Sequence, residues 1–127
     1  MVRTVIDASA LLVLLNGEPG ADIVAQALPG GVMSAVNVSE VVAKLAEFGI
    51  PEKAIYQALK PLGLDVVFFS EEQAYVAGLL RPSTLHIGVS LGDRACLSLA
   101  KMQELTALTA DRAWANLSIG VTIKVIR

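Results

Sequence analysis

Short apolar runs alternate with longer segments of helical periodicity along the whole chain. Residues 65–69 are Asp-Val-Val-Phe-Phe, and such β-branched and aromatic runs are typical of buried strands. Val38, Val41 and Leu45 recur at three- and four-residue spacing, which predicts a helix with one apolar face. The predicted strands are residues 2–6, 32–34, 65–69, 106–109 and 121–126. The predicted helices are residues 8–16, 19–28, 37–49, 52–62, 70–80 and 90–103, followed by a helical turn at 111–116.

Two of the predicted helices begin at capping-box patterns. Ser70 precedes Gln73, and Ser90 precedes Asp93, at the spacing at which both side chains bond the backbone of the first helical turn. Each pattern predicts a helix that begins directly after the serine. Between these two helices, residues 82–88 are predicted to form a loop.

The alternation of strands and helices predicts an α/β protein. Right-handed strand–helix–strand crossovers give a mainly parallel sheet covered by helices, a three-layer α/β/α sandwich. No repeat, low-complexity tract or linker divides the chain, so we predict a single domain over residues 1–127. In such sheets ligands bind at the carboxyl ends of the strands, near the switch point in strand order.

The composition is unusually apolar, with 54% hydrophobic and 17% charged residues and a mean hydropathy of +0.62. No run approaches the ~20 consecutive apolar residues that a membrane-spanning helix needs, so we expect no membrane association. Asp7 would interrupt the apolar segment of a secretory signal, which argues against such a signal. We therefore expect the excess apolar surface to be buried in a large interface with another chain.

Charge and cysteine content exclude further classes of protein. Ten basic and twelve acidic residues give a net charge of -2, which is not that of a nucleic-acid binder with a broad basic face. Cys96 is the only cysteine, which excludes a disulfide framework and a Cys-rich zinc site. The expected compartment is the reducing cytoplasm.

Four acidic residues stand at the starts of predicted helices. Asp7 and Asp111 each follow a strand, whereas Glu40 and Asp93 lie in the first turn of a helix. One interpretation is that each acid serves only as a helix cap. In this interpretation Asn37 is an N-cap, and Glu40 forms a capping box with it. If the sheet is wound as predicted, however, the four carboxylates converge at one of its edges.

Electrostatics indicates what such a convergence would do. Two carboxylates ~6 Å apart repel by about 3 kcal/mol at an effective dielectric of 20. A helix N-terminus offsets only ~0.3–1 kcal/mol of that repulsion per acid. A cluster of four acids would therefore protonate in part or bind divalent cations. Oxygen ligands without histidine or cysteine favour Mg²⁺ or Mn²⁺, which suit phosphate chemistry.

Four segments of the chain, in this order, resemble the signature segments of PIN domains, and most closely those of VapC-like toxins from toxin–antitoxin pairs. They are Asp7-Ala-Ser-Ala-Leu-Leu, Asn37-Val-Ser-Glu40-Val, Gly92-Asp93-Arg-Ala-Cys-Leu-Ser-Leu-Ala100 and Leu108-Thr-Ala-Asp111-Arg. Each segment alone is a weak signal, whereas four in the family's order are a strong one. The resemblance spans essentially the whole chain.

The resemblance implies a parallel five-stranded sheet and a metal-dependent endoribonuclease. It assigns the catalytic, metal-holding role to Asp7, Glu40, Asp93 and Asp111, with Mg²⁺ or Mn²⁺ as cofactor. It also implies hydrolysis of RNA, with tRNA among the candidate substrates, to 5′-phosphate and 3′-hydroxyl ends. The partners that it implies are a second copy of the chain, in a homodimer, and a cognate antitoxin.

Other polar residues near the four acids receive supporting roles. Ser9 and Thr109 match polar positions that, in the family, support the acidic pocket. Arg94 and Arg112 each follow a motif acid, so they are candidates either for RNA phosphate contacts or for pairing with nearby carboxylates. Asn37 is an N-cap candidate and, secondarily, a candidate for an RNA contact.

Two other function classes remain open from the residues. One is a receiver-like signalling module that accepts a phosphoryl group on aspartate. Such a module normally has paired acids after the first strand, whereas Asp7 is followed by Ala8. The other is a non-catalytic interaction domain in which the four acids serve only as helix caps.

Overall fold

The computed structural model describes all of residues 1–127, and its middle layer is a five-stranded sheet. The strands are β1 (Thr4–Ile6), β2 (Gly31–Ser34), β3 (Asp65–Val67), β4 (Thr106–Thr109) and β5 (Ile123–Val125). Their order is β3-β2-β1-β4-β5, and every neighbouring pair is parallel. The parallel, five-stranded sheet predicted above is confirmed.

Seven helices cover the two faces of the sheet. They are α1 (Ala8–Leu15), α2 (Ala21–Ala27), α3 (Ala35–Glu47), α4 (Glu52–Leu59), α5 (Glu71–Leu79), α6 (Arg81–Thr84) and α7 (Leu91–Gln103). Short 3₁₀ turns follow α2, α4 and β4, at Leu28–Gly30, Lys60–Leu62 and Arg112–Asn116. None of these helices is both long and apolar enough to cross a bilayer.

Alternate residues of the strands face two separate cores. Ile6, Met33 and Leu108 pack with residues from α1 to α4 on one side of the sheet. Their neighbours in the same strands face the second core, which contains the apolar side of α7. Because strand side chains alternate between faces, this period of two produces the predicted three-layer α/β/α sandwich.

Several predicted element boundaries differ from the structure by a few residues, and three of these differences change the interpretation. α3 begins at Ala35 with Ser34 as its N-cap, because the Ser34 hydroxyl accepts a bond from the backbone N–H of Val36. Asn37 is therefore inside the helix rather than its cap. β3 ends at Val67, where a run through Phe69 was predicted. The predicted loop at 82–88 overlaps α6 (Arg81–Thr84), because a proline near a helix start lacks only an N–H that would have no helical partner there.

The strand order places one crevice at a defined point of the sheet. The chain proceeds from β1 through β2 to β3 on one side, and then crosses to β4 and β5 on the other. The switch point in strand order is therefore between β1 and β4, and ligands bind at the carboxyl ends of the two strands there. Asp7 directly follows β1, and Asp111 lies two residues beyond the end of β4.

Candidate active site

Asp7 is the buried member of the four acids, with 3% of its surface exposed. Its backbone N–H donates to the carbonyl of Leu108 at 2.9 Å, which continues the pairing of β1 with β4 and holds Asp7 at the switch point. It stands at the N-cap position of α1, yet its side chain makes no capping bond. The interpretation of Asp7 as only a helix cap is therefore wrong.

Two hydroxyls hold the Asp7 carboxylate. Ser9 Oγ donates to Asp7 Oδ2 at 2.6 Å, and Thr109 Oγ1 donates to the same oxygen at 2.9 Å. The network extends along the loop after β4, because the backbone N–H of Ala110 donates to Ser9 Oγ and that of Asp111 donates to Thr109 Oγ1. Ser9 and Thr109 thus connect the end of β1 with the segment that carries Asp111.

Burial raises the pKa of Asp7 from 3.8 to about 6. The bonds from Ser9 and Thr109 act in the opposite direction, and the negative charge of Asp93 adds to the increase. Burial also raises the pKa of the Cys96 thiol, and the charges of Asp7, Asp93 and Glu40 raise it further. The charges of all three acids therefore act on one buried position of α7.

Asp93 is held by the first turn of α7. The Ser90 hydroxyl accepts a bond from the backbone N–H of Asp93, and Asp93 Oδ2 accepts one from the N–H of Ser90 at 2.9 Å. The predicted capping box is confirmed. This bond uses one carboxylate oxygen, so Asp93 is both a cap and a group with a second oxygen available.

Glu40 is held differently from the prediction. It lies in the second turn of α3, and its Oε1 accepts a bond at 2.8 Å from the side-chain amide of Asn37. The same amide donates to the carbonyl of Gly92 at 2.9 Å, which links α3 with the first turn of α7. Asn37 has no exposed surface, so the expectation that it contacts RNA is wrong.

Asp111 is exposed and caps the 3₁₀ turn that follows it. Its Oδ1 accepts a bond from the backbone N–H of Ala113 at 3.0 Å. Glu40 Oε2, Asp93 Oδ1 and Asp111 Oδ2 accept no hydrogen bond from the protein. Each of these acids is therefore fixed through one oxygen while the other is free.

None of the four acids has a cationic partner. The ion pairs of the molecule are Arg3–Asp65, Lys44–Glu47 and Arg127–Glu18, all elsewhere. Arg94 is half-buried and donates to the carbonyl of Ala77 on α5 at 3.1 Å. Arg112 is exposed and donates to the carbonyl of Arg127 at 3.0 Å. The two arginines beside the motif acids thus leave the carboxylates uncompensated.

The donor set fits a hard divalent cation. It consists of carboxylate oxygens, which Mg²⁺ and Mn²⁺ prefer, and a buried carboxylate with no positive charge beside it gains most from such an ion. As the side chains lie, no three His, Cys, Asp or Glu groups are close enough together to hold one ion. Direct ligation by several acids would therefore require the exposed Glu40 and Asp111 side chains to turn toward Asp7 and Asp93.

Sequence reasoning assigned no role to Gly92. Its α-carbon faces the Glu40 carboxylate so closely that a side chain there would overlap both carboxylate oxygens. One signal was present: Gly92 interrupts the first turn of a helix that Ser90 already caps, where a better helix former would be expected.

Comparison with known proteins gives a consistent family and fold. The sequence profile of the PIN domain matches residues 4–119. No curated protein sequence matches the chain. Among solved structures, similar folds occur in a DNA-bound VapBC complex from Salmonella typhimurium, with a TM-score of 0.77, 16% identity and coverage of 100% of both chains.

Two further structures have the same fold. A toxin–antitoxin complex from Klebsiella pneumoniae has a TM-score of 0.70 and 22% identity, covering 94% of this chain and 95% of the other. VapBC2 from Rickettsia felis, bound to a fragment of its promoter DNA, has a TM-score of 0.76 and 14% identity over 98% of both chains. The profile match over most of the chain, together with the acids at the switch point, shows that this protein belongs to the PIN domain family, a family of nucleases.

Proposed function

We propose that the protein is a metal-dependent endoribonuclease and the VapC-like toxin of a toxin–antitoxin pair. The observation that carries the proposal is Asp7, a carboxylate buried beside Asp93 at the switch point of the sheet with no cationic partner. An RNA substrate would place this activity in the cytoplasm.

The residues have separate tasks in the proposed reaction. Asp7, Glu40, Asp93 and Asp111 would hold Mg²⁺ or Mn²⁺, directly or through water. When bound, the ion supplies an activated water and neutralises charge on the phosphate. Ser9 and Thr109 fix the Asp7 carboxylate, so its orientation does not depend on the ion.

Hydrolysis would form a bond from the water oxygen to phosphorus and break the bond from phosphorus to the 3′ oxygen. The attacking water loses a proton to solvent and the departing 3′ oxygen takes one up from solvent, so the products are a 5′-phosphate and a 3′-hydroxyl. Arg112 is exposed next to Asp111, and its Nε donates to the carbonyl of Arg127, so we assign its remaining donors to an RNA phosphate. Arg94, by contrast, is half-buried, and its guanidinium donates to the carbonyl of Ala77 on α5.

Cleavage of defined RNAs, tRNA included, tests the proposal directly. Wild-type protein should cleave with Mg²⁺ or Mn²⁺ and stop with EDTA. Asp7→Asn and Asp93→Asn should each lower the rate about 100-fold or more, since a bound ion contributes several kcal/mol to such reactions. Asp22→Asn, in an exposed acid on α2, is the matched control and should cleave like wild type. Equal cleavage by all variants, or cleavage that persists in EDTA, would contradict the proposal.

The proposed antitoxin has a suitable surface on the protein. An apolar groove with a volume of about 590 Å³ lies where α3, α4 and β3 meet. Its hydrophobic lining includes Val38, Val42, Ile50, Tyr56 and Leu59. Such a groove accommodates the apolar face of an amphipathic partner helix, which is a common mode of peptide recognition.

A further inference from the structure

Asn37 is a buried amide whose two donated bonds meet two different elements. It has no exposed surface, and its Nδ2 donates to Glu40 Oε1 on its own helix and to the Gly92 carbonyl on α7. Its Oδ1 is buried and has no hydrogen-bond partner. Because a buried polar atom without a partner is costly, the position of Asn37 is not explained by stability alone.

Gly92 is a glycine for a steric reason rather than a conformational one. It lies in α7, and its φ is not positive, so any residue could adopt its backbone conformation. Glycine is unfavourable inside a helix relative to alanine. What excludes a larger residue is the Glu40 carboxylate, which occupies the space that a side chain would need.

From these contacts we infer that Asn37 and Gly92 are positioning residues for Glu40. Asn37 binds one oxygen of the carboxylate, and Gly92 leaves room for the carboxylate against the first turn of α7. The bond from Asn37 to Gly92 also ties Glu40 to the turn whose next residue is Asp93. The two residues thereby set the spacing between two acids of the site, an inference that rests on the proposed metal-binding function.

The substitution Gly92→Ala distinguishes a role of Gly92 in positioning Glu40 from a role in the stability of the fold. The added methyl displaces Glu40, a flexible and exposed side chain, while alanine favours the helix. We expect Mn²⁺ affinity, measured by calorimetry, to fall about 10- to 100-fold, as for other supports of metal ligands. The thermal midpoint of the metal-free protein should stay unchanged or rise.

Gly78→Ala is the matched control, because Gly78 lies within α5 and a side chain there meets nothing within 4 Å. It should gain stability in the same way and bind Mn²⁺ like wild type. If Gly92→Ala binds Mn²⁺ within twofold of wild type, the inference is overturned while the proposed function stands. If wild type neither binds Mn²⁺ nor cleaves RNA, both are overturned.

A double-mutant cycle tests the positioning role of Asn37. It also tests the inference if Gly92→Ala folds poorly. Asn37→Ser is too short to bridge Glu40 and Gly92, so it should weaken Mn²⁺ binding in the wild-type background. In a Glu40→Ala background the same substitution should have no further effect, because Asn37 acts through Glu40. An equal loss in both backgrounds would show a purely structural role and overturn the inference.

Discussion

At Asp7, the burial that positions the carboxylate also opposes its charge. The side chain is almost fully buried at the end of β1, and its pKa of about 6 reflects desolvation that the Ser9 and Thr109 hydroxyls only partly offset. A divalent ion would remove this conflict, because an opposite charge favours the ionised carboxylate. Metal binding is thus expected to stabilise the fold as well as to enable chemistry.

The raised pKa of Asp7 predicts how stability depends on pH without metal. The folded protein holds the Asp7 proton up to about pH 6, whereas the unfolded chain releases it near 3.8. The contribution of Asp7 to the free energy of unfolding is therefore fully present below about pH 4. It is lost as pH rises through 6, which lowers the free energy of unfolding by about 3 kcal/mol. Asp7→Asn should lack this loss and be the more stable protein at neutral pH. Denaturant unfolding in EDTA across this range is the measurement, and parallel pH profiles for the two proteins would refute the assignment.

At the scale of elements, the first turn of α7 joins helix formation to the site. Ser90 caps the helix, and the same turn presents Asp93 and touches Glu40 through Gly92. The capping box was predictable because it depends on residues three positions apart. The bond from Asn37 to Gly92 was not, because it joins residues that are 55 positions apart.

Ser90→Ala is expected to affect both stability and the site. Loss of the cap should cost about 1 kcal/mol of unfolding free energy and loosen the turn that holds Asp93, so Mn²⁺ affinity should fall. Ser70→Ala removes the equivalent cap from α5, where Ser70 accepts from the N–H of Gln73. It should cost the same stability and leave Mn²⁺ affinity unchanged. Calorimetric titration of both variants with Mn²⁺ is the measurement. Equal Mn²⁺ affinities of Ser90→Ala and Ser70→Ala would show that the Ser90 cap has no influence on metal binding by Asp93.

At the scale of the whole molecule, the two cores do not bury all the apolar surface. Phe48, Phe68, Tyr75 and Leu79 are all more than 65% exposed, with values between 67% and 77%. The apolar groove of α3, α4 and β3 adds to this exposed surface. Exposed apolar area of this kind marks contacts with other chains, which agrees with the interface expected from the composition.

The proposed homodimer is tested by mass. We expect the purified protein to sediment at twice the 13.3 kDa of one chain, at micromolar concentration and without an antitoxin. High salt should not dissociate the dimer, because an apolar interface is little affected by screening. A monomer under these conditions would contradict the homodimer and leave the exposed apolar surface to the antitoxin alone.

The predictions were accurate where the interacting residues are close together in the sequence. The periods of two and 3.6 were enough for the strands, the main helices and the three layers, since these depend on neighbouring residues. The errors came where local signals competed. Asn37 looked like a cap although Ser34 caps α3, and Pro82 looked like a loop residue although it lies in the first turn of α6.

Local sequence patterns were sufficient for the order of elements, the alternating burial, and the positions of Asp7, Asp93 and Asp111 at strand ends and a helix start. Glu40, in contrast, lies in the second turn of α3 rather than in the first. The burial of Asp7, the bridge from the enclosed Asn37 to Gly92 and the bond from Arg94 to α5 become visible only in the folded molecule. The reason is physical: periodicity and capping act within a few residues. Burial and long-range hydrogen bonds, in contrast, depend on which surfaces meet after the crossovers have placed β1 beside β4.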